Sequence, residues 1–336
     1  MLAHDTKLSA NAVANAAALR ARLDLAVPIF ILIDPIAGEP LPSANGSEQG
    51  TQAAREALWD RPVFPITLTS VVPLKPYQYP YLVALEGIDD PWLESTLDMA
   101  QDERLAAQAD GLDGEGTAVH RIGGWIQTLL PGAEIAARLA FMFQLNTDAS
   151  TQATYLRLLD RRVLGLLRHV VGDARLTALF GRLQRWAYLD AQGAIATLNG
   201  SSVDDVALHL TQDEWHRMQQ GEVLNPALAL WLGEAARSGH AQLKPAAMLY
   251  EPLFQSAKLA QTAAQQWPQR FQQPKDQSFW AALCLLYPDL ANNAQAAQLL
   301  NKPGTQLDPV QPLRYIQQQL KACVAPATAA HPDRPV

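Results

Sequence analysis

Apolar residues in the first 200 positions follow strand-like and helix-like spacings in turn. A β-branched run from Val27 to Ile33, ended by Asp34-Pro35, predicts a buried strand followed by a turn. Other apolar runs predict strands at 63–72, 81–85 and 125–129, and hairpins at 141–159 and 185–198. Because Pro65 cannot donate a backbone hydrogen bond, its strand should lie at a sheet edge or divide in two.

Helical spacing separates these strands. The first helix is predicted from apolar residues on one face: Ala12, Ala16, Leu19 and Leu23. Asp90 and Asp160 are predicted N-caps, because a carboxylate can accept hydrogen bonds from the free backbone N–H groups at a helix start. Gly172 should end the helix that Asp160 begins, since glycine adopts the left-handed conformation at little cost. Asp173 should then begin a second, short helix.

Helical spacing alone continues after Gly200. Thr211 and Glu214 have the spacing of a capping box, in which each side chain binds the other residue's backbone N–H. Asn225-Pro226 is predicted to start the next helix. The last three helices are predicted from apolar stripes: Leu253, Ala257, Ala260 and Ala264; Trp280, Leu283, Cys284 and Tyr287; and Leu313, Ile316 and Leu320 after a start at Asp308-Pro309.

These patterns divide the chain near residue 200. We expect a mixed α/β domain over residues 1–200, built from a mixed sheet with flanking helices, and an all-helical lobe over residues 201–323. Residues 324–336 are rich in Pro, Ala and Thr and predict a disordered tail. Residues 36–55 and 107–118 have no helical or strand period, so both are predicted to be loops, the second exposed to solvent.

Composition narrows the class of protein. The chain has 336 residues, 49% of them hydrophobic, so it can bury a full core and is not intrinsically disordered. A formal net charge of -7 argues against a nucleic-acid binder, which usually has a basic face. Cys284 and Cys323 cannot form a disulfide framework and fit a reducing compartment. The apolar stretch from Leu25 to Ile33 is too short to cross a membrane, so we expect a cytoplasmic protein with no membrane partner.

The sequence contains no constellation typical of catalysis or cofactor binding. The glycines within 111–116 lie in an acidic segment, which would repel phosphate, and there is no Gly-x-Ser-x-Gly elbow. His209 and His216, with Glu214 between them, do not supply the converging set of ligands that a transition metal needs. We therefore expect no cofactor, no metal and no catalysis. A hydrolase or transferase with an active site outside known motifs is the alternative.

Tryptophan side chains in the helical half are candidates for contact with a protein partner. Aromatic residues at helical spacing usually belong to a core, but Trp and Tyr also anchor interfaces, and grooves between helices can hold an amphipathic segment. The candidate contact residues are Trp215, Trp231, Leu232 and Trp280.

Several short motifs lie between Val27 and Leu198. They are Ile31-Leu32-Ile33-Asp34, Pro80-Tyr81-Leu82-Val83, Gly124-Trp125, the run from Tyr155 to Leu164, Phe180-Gly181, and Arg185-Trp186. On these residues the chain resembles the type VI secretion effector adaptor-chaperones, the Tap/TEC family. Its motif Arg-Phe-Tyr-Asp-Pro-Arg-Val-Leu is similar to the Tyr155 run, with Asp160 and Arg162 in register. Its motif Phe-Gly-Pro-x-x-x-Trp has the spacing from Phe180 to Trp186.

The chain departs from this family pattern at three places. Arg161 and Arg182 stand where the family has proline, and the glycine that precedes the family's second strand is missing before Pro80. The residues that match have structural roles by type: Asp160 caps a helix, Gly181 ends one, and Trp186 packs in a strand. Arg162 is expected to pair with Asp34 or Asp160. The other matched residues, Trp125 and Phe180, are also expected to be structural.

The resemblance implies a cytoplasmic adaptor that does no chemistry. Such proteins bind the N-terminal region of a cognate toxic effector and load it onto the VgrG spike, sometimes with a PAAR-type protein. We expect the helical half, residues 203–323, to carry the choice of effector. A toxin-binding immunity protein is a further alternative, which would bind the catalytic domain of a toxin instead of its N-terminus.

Overall fold

The computed structural model describes residues 15–41, 51–68, 74–148, 150–201, 206–238, 246–302 and 313–324. Contacts group the chain into two compact units. Unit 1 comprises Met1–Ala106, Ala118–Gly221 and Pro245–Ala247, and unit 2 comprises Ala107–Thr117, Glu222–Lys244 and Met248–Val336. The predicted fold class is confirmed: strands with flanking helices fill the N-terminal half, and the C-terminal region is helical.

Unit 1 contains two sheets. The strands are β1 (Ile29–Ile33), β2 (Val63–Pro65), β3 (Tyr81–Ala84), β4 (Ile122–Gln127), β5 (Gln144–Thr147), β6 (Ser150–Tyr155), β7 (Arg185–Leu189), β8 (Ile195–Asn199) and β9 (His209–Leu210). The larger sheet has the order β2-β3-β1-β4-β7-β8, and each neighbouring pair is antiparallel. In the smaller sheet β5 pairs antiparallel with β6 and parallel with β9. Pro65 lies in an edge strand, as its missing N–H requires.

The helices of unit 1 cover both faces of the larger sheet. They are α1 over described residues 15–20, α2 (Gln52–Trp59), α3 (Pro91–Gln108), α4 (Gly132–Met142), α5 (Arg161–Phe180) and α6 (Gln212–Gln219). β1 is buried along its whole length. Its residues Ile29, Ile31 and Ile33 share one hydrophobic core with Leu19 of α1 and Leu97 of α3. β1 is therefore, with β4, one of the two central strands of the larger sheet.

Helix α5 is interrupted where the sequence predicts a stop. Gly172 has a φ of 79° and a ψ of 162°, a conformation that only glycine adopts readily, so two helical stretches meet there at a kink. Asp160 caps the first stretch by accepting a hydrogen bond from the backbone N–H of Arg162. The capping box of Thr211 and Glu214 is also present, at the start of α6.

Unit 2 is built from helices. They are α7 (Gly221–Arg237), which begins one residue before the unit, then α8 (Ala246–Gln266), α9 (Pro274–Leu286), α10 (Ala294–Asn301) and α11 (Gln317–Val324). Residues 107–117 pack against these helices. The approach to α7 is close, since a Cβ on Gly233 would lie 2.1 Å from the carbonyl oxygen of Gln108. Ion pairs link the same segment to helices, from Arg237 to Asp113 (3.4 Å) and from Lys275 to Glu115 (2.5 Å).

Four expectations about the elements are wrong. The predicted loop 36–55 contains the start of α2, and α7 begins at Gly221, so that Pro226 lies inside it. The segment 107–118 is not a solvent loop throughout, because Leu112 is fully buried. A two-residue strand, β9, occurs after Gly200, where no strand is expected. The predicted starts at Ala12 and Asp308-Pro309 and the tail from residue 325 lie outside the described residues.

Candidate functional site

Charged side chains collect where β1 ends and α5 begins. Asp34 follows β1, and its backbone N–H donates to the carbonyl of Arg121, just before β4, at 2.8 Å. The N-terminus of α5 reaches the same end of the sheet, because Arg157, which precedes it, contacts Asp34. We call this group the charged cluster, and its members are Asp34, Glu103, His120, Arg157, Asp160, Arg161 and Arg162.

Two carboxylates of the charged cluster are each paired with an arginine. Nε of Arg157 donates to a carboxylate oxygen of Asp34 at 2.5 Å, and burial still raises the pKa of Asp34. Arg162 donates from Nε and Nη2 to the two oxygens of Asp160, at 2.9 and 2.7 Å. Of the two partners expected for Arg162, the structure therefore has Asp160. Although burial opposes it, hydrogen bonding to Arg162 lowers the pKa of Asp160 to about 2.

Arg161 occupies the first position of α5 with a buried side chain. Its Nη2 lies 3.0 Å from the carbonyl oxygen of Ala100, 3.1 Å from the carboxylate of Glu103 and 2.8 Å from Nδ1 of His120. The first turn of a helix tolerates proline, so the residue that the family has here would fit the backbone. In this chain an arginine side chain fills the space instead and connects α3 to the segment before β4.

The imidazole of His120 is neutral and oriented by Arg161. Arginine can only donate hydrogen bonds, so Nδ1 of His120 must accept, and the ring proton is on Nε2. Nε2 is buried and has no hydrogen-bond partner among the described residues. Burial, reinforced by the charge of Arg161, lowers the pKa of His120 to about 3.

Asp160 and His120 each keep one protonation state at neutral pH. With a pKa near 2 for Asp160 and near 3 for His120, neither group exchanges a proton close to pH 7. An efficient general acid or base has a pKa near the working pH, so these groups are poorly matched to proton transfer. Their contacts join β1, α3, β4 and α5, and this is how the cluster contributes to the fold.

Three of the sequence motifs meet in the larger sheet. Trp125 donates from its indole to the hydroxyl of Thr96 in α3 at 3.1 Å, so it packs on one face. Trp186 donates to the carbonyl of Gly123 at 3.2 Å, and its ring lies 5.4 Å from that of Phe180 in α5. Gly124 makes this possible: a Cβ there would lie 2.4 Å from the carbonyl oxygen of Ala187 and 2.7 Å from the indole nitrogen of Trp186.

The four candidate contact residues are placed differently. Trp215 lies on α6 of unit 1 and is half-buried, and Trp231 is half-buried on α7. Leu232 is 3% exposed and Trp280 is 1% exposed, so both belong to the interior of unit 2. A partner can therefore touch only Trp215 and Trp231 without a rearrangement. The indole N–H of Trp280 has no hydrogen-bond partner in this interior.

Sequence reasoning missed Glu103, His120, Arg157 and Arg161. Each is an isolated charged residue in its own segment, and Arg161 is 58 positions from Glu103 and 41 from His120. A weak signal exists for Arg161, since it replaces a residue that favours the first turn of a helix.

Among the described residues, no group of three or more His, Cys, Asp or Glu side chains is placed to hold a metal ion. In the same part of the chain, no helix is both long and apolar enough to cross a membrane. Comparison with protein-family models, with curated proteins and with solved structures finds no match to this chain.

Proposed function

We propose that this protein is a cytoplasmic adaptor that binds the N-terminal region of a type VI secretion effector and loads it onto the VgrG spike, without catalysing a reaction. A PAAR-type protein is a further expected partner. The observation that carries the proposal is the contact set formed by Gly124, Phe180 and Trp186. Trp125, next to Gly124, packs on α3 instead.

This contact set joins two motifs of the family resemblance, the Gly124-Trp125 pair and the motif that spans Phe180 to Trp186. Gly124-Trp125, Phe180-Gly181 and Arg185-Trp186 are separated in sequence by up to about 60 residues. Residues that matched a pattern by coincidence would have no reason to need one another. Here the glycine is required for the close approach of Trp186, and Phe180 packs on the same indole. Gly124, Phe180 and Trp186 therefore form one interdependent packing unit.

The charged cluster supports the non-catalytic part of the proposal. Asp34 and Asp160 are each neutralised by an arginine, and His120 stays uncharged at neutral pH. Such groups hold polypeptide segments together, as an adaptor requires.

The experiment is co-purification of the full chain with the effector and spike proteins encoded beside it. We expect the tagged chain to elute with both, and to bind the N-terminal region of the effector when that region is supplied alone. Deleting the gene should stop delivery of this effector and leave an unrelated effector unaffected. If the chain binds neither protein, and delivery is unchanged, the proposal is wrong. Binding only to the toxic domain would favour an immunity protein instead.

The choice of effector can be tested by exchanging unit 2 with that of a related protein. The sequence predicts that residues 203–323 carry this choice, and the contact division adds residues 107–117 to the segment to be exchanged. We expect exchange of 107–117 together with 222–336 to change which effector is co-purified. The matched control exchanges 222–336 alone, which leaves mismatched ion pairs at Asp113 and Glu115 and should lower stability. Unchanged effector choice after the complete exchange would contradict the prediction.

A further inference from the structure

An apolar turn precedes β1 and faces solvent. The apolar run that predicts β1 begins near Leu25, but the strand itself starts at Ile29. Leu25 is 79% exposed, and Ala26 and Pro28 are exposed beside it. Leu129, which follows β4, is 68% exposed. Among the described large apolar side chains of unit 1, these two leucines are the most exposed. Exposed apolar side chains that lie together often mark interaction sites.

Leu25 and Leu129 lie at the same end of the larger sheet. Ile29 pairs with Gln127 in the antiparallel register, so the residues before β1 and after β4 are neighbours. The side chain of Gln127 accepts from the backbone N–H of Asp24 at 2.9 Å and donates to its carbonyl at 2.8 Å. This clamp holds the turn against the end of β4. A surface held in place in advance loses little conformational entropy when a partner binds.

Arginines occur in the segments next to these leucines. Arg22 and Arg182 are exposed, and Arg22 forms no ion pair with any described residue. Arg185 pairs with Gln127 in the sheet register, and Thr128 donates to the carbonyl of Arg182 at 3.3 Å. The nearby carboxylates are Asp24, whose Oδ1 accepts from the N–H of Ala26, and Glu134, which pairs with Arg182. The pair of Arg182 with Glu134 balances two of these charges, and the cations Arg22 and Arg185 then outnumber the anion Asp24 in the segments beside the leucines, in a chain whose net charge is -7.

We propose that the surface formed by Leu25, Leu129, Arg22 and Arg182, the Leu25–Leu129 surface, docks a segment of the effector that carries large apolar side chains flanked by carboxylates. The apolar side chains of that segment cover the two leucines, and its carboxylates meet the exposed guanidinium groups. This inference rests on the proposed function, and it places one effector contact on unit 1 in addition to the specificity expected of unit 2. Charge complementarity of this kind raises the association rate as well as the specificity.

The first test measures binding of the full chain to the N-terminal region of the neighbouring effector. The double variant L25A/L129A should weaken this binding by roughly tenfold or more, because truncation of a central apolar contact costs at least that much. The matched control is Phe141→Ala, which removes an apolar side chain that is 48% exposed on α4 of the same unit. The control should bind as the unaltered chain does. Equal binding by the double variant and the unaltered chain overturns the proposal.

The second test addresses charge. The double variant R22E/R182E should also weaken binding by about tenfold, mainly through a slower association rate, and should lose most of the salt dependence that the unaltered chain shows. Binding that is insensitive both to salt and to this charge reversal overturns the proposal for an acidic segment.

Other occupants of the Leu25–Leu129 surface would give different results. If L25A/L129A lowers the melting temperature of the free chain, the surface is covered by the chain itself, and the proposal is wrong. If the same variant converts a dimer into a monomer, the occupant is a second copy, and the proposal is again wrong. If the unaltered chain does not bind the effector at all, the proposed function fails and this inference fails with it. Effector binding that is unaffected by either double variant refutes this inference alone.

Discussion

Replacing Arg161 with methionine should destabilise unit 1 strongly and in a pH-dependent way. Methionine keeps much of the side-chain volume but removes the guanidinium that contacts Ala100, Glu103 and His120. The carboxylate of Glu103 then keeps two backbone hydrogen bonds, from Arg121 and Ile122, but loses its buried cation. Nδ1 of His120 and the carbonyl of Ala100 lose a donor in the same place.

The size of the effect follows from the burial of the pair. The side chains of Arg161 and Glu103 are 4% and 10% exposed. Removing one partner of a buried ion pair typically costs about 3–5 kcal/mol. For a unit of this size each kcal/mol corresponds to about 2–4 °C, so the melting temperature should fall by about 6–20 °C.

The pH dependence has a definite sign. The pKa of His120 is about 3 in the folded chain, against an ordinary value of 6.5, so its contribution to stability is complete above pH 6.5 and is lost as the pH falls towards 3. Without the charge of Arg161 this pKa rises, and the variant loses less stability in acid. Burial already raises the folded-state pKa of Glu103, and loss of Arg161 raises it further. Protonation of Glu103 in acid therefore also stabilises the folded variant relative to its state at neutral pH. The difference between the two proteins should therefore shrink as the pH falls.

The assay is urea unfolding followed by tryptophan fluorescence, at about pH 7 and about pH 5. The matched control is Arg182→Met, which breaks an exposed ion pair with Glu134 and should cost about 0–1 kcal/mol at either pH. A loss below about 1 kcal/mol for Arg161→Met, or a loss that grows in acid, would refute this account of the charged cluster.

Three further predictions concern single residues. Gly172→Ala should lower the free energy of unfolding by about 1–3 kcal/mol, because alanine is strained at these backbone angles. The added Cβ would meet no atom within 4 Å, so strain is the only cost, and an unchanged midpoint in thermal unfolding would contradict this. In urea unfolding, Trp186→Phe should destabilise the chain more than Trp280→Phe does. Of these two indole N–H groups, the one on Trp186 donates to the carbonyl of Gly123, and the one on Trp280 has no partner among the described residues, so the reverse order would contradict the prediction. Asp160→Ala should lower the free energy of unfolding by about 1–3 kcal/mol at neutral pH. The unaltered chain should lose the contribution of Asp160 between pH 3.8 and about 2, and in acid titration followed by circular dichroism the variant should lack this loss. An unaltered acid transition would be inconsistent with the pairing to Arg162.

Local signals were enough to predict many elements. The N-caps at Asp90 and Asp160, the stop at Gly172 and the capping box at Thr211 each depend on residues within one turn, and the structure confirms all four. The hairpin at 185–198 is confirmed for the same reason. The hairpin at 141–159 is present with other bounds: its strands are Gln144–Thr147 and Ser150–Tyr155, Phe141 and Met142 belong to α4, and residues 156–159 follow the second strand.

Elements whose buried residues are polar were not predictable in this way. In α2 the buried positions are held by Arg55 and Trp59, so the apolar stripe that announces a helix is broken. Arg55 is satisfied only by distant groups: the carboxylate of Glu39 and the carbonyls of Tyr77 and Tyr79. The charged cluster is hidden for the same reason, because its members pair across tens of positions and leave no periodic pattern.

The two parts of unit 2 are made at different times during synthesis. Residues 107–117 leave the ribosome long before α7, and Asp113 precedes its partner Arg237 by 124 positions. Until α7 emerges, Gly111 and Asp113 lack their contacts with Gly233 and Arg237, and the segment remains available to chaperones or to other nascent chains. A polypeptide that ends near residue 200 would carry this segment without its partners in α7. A polypeptide that begins there would lack a segment that packs within its own unit, so the helical half can be made alone only if residues 107–117 are supplied with it.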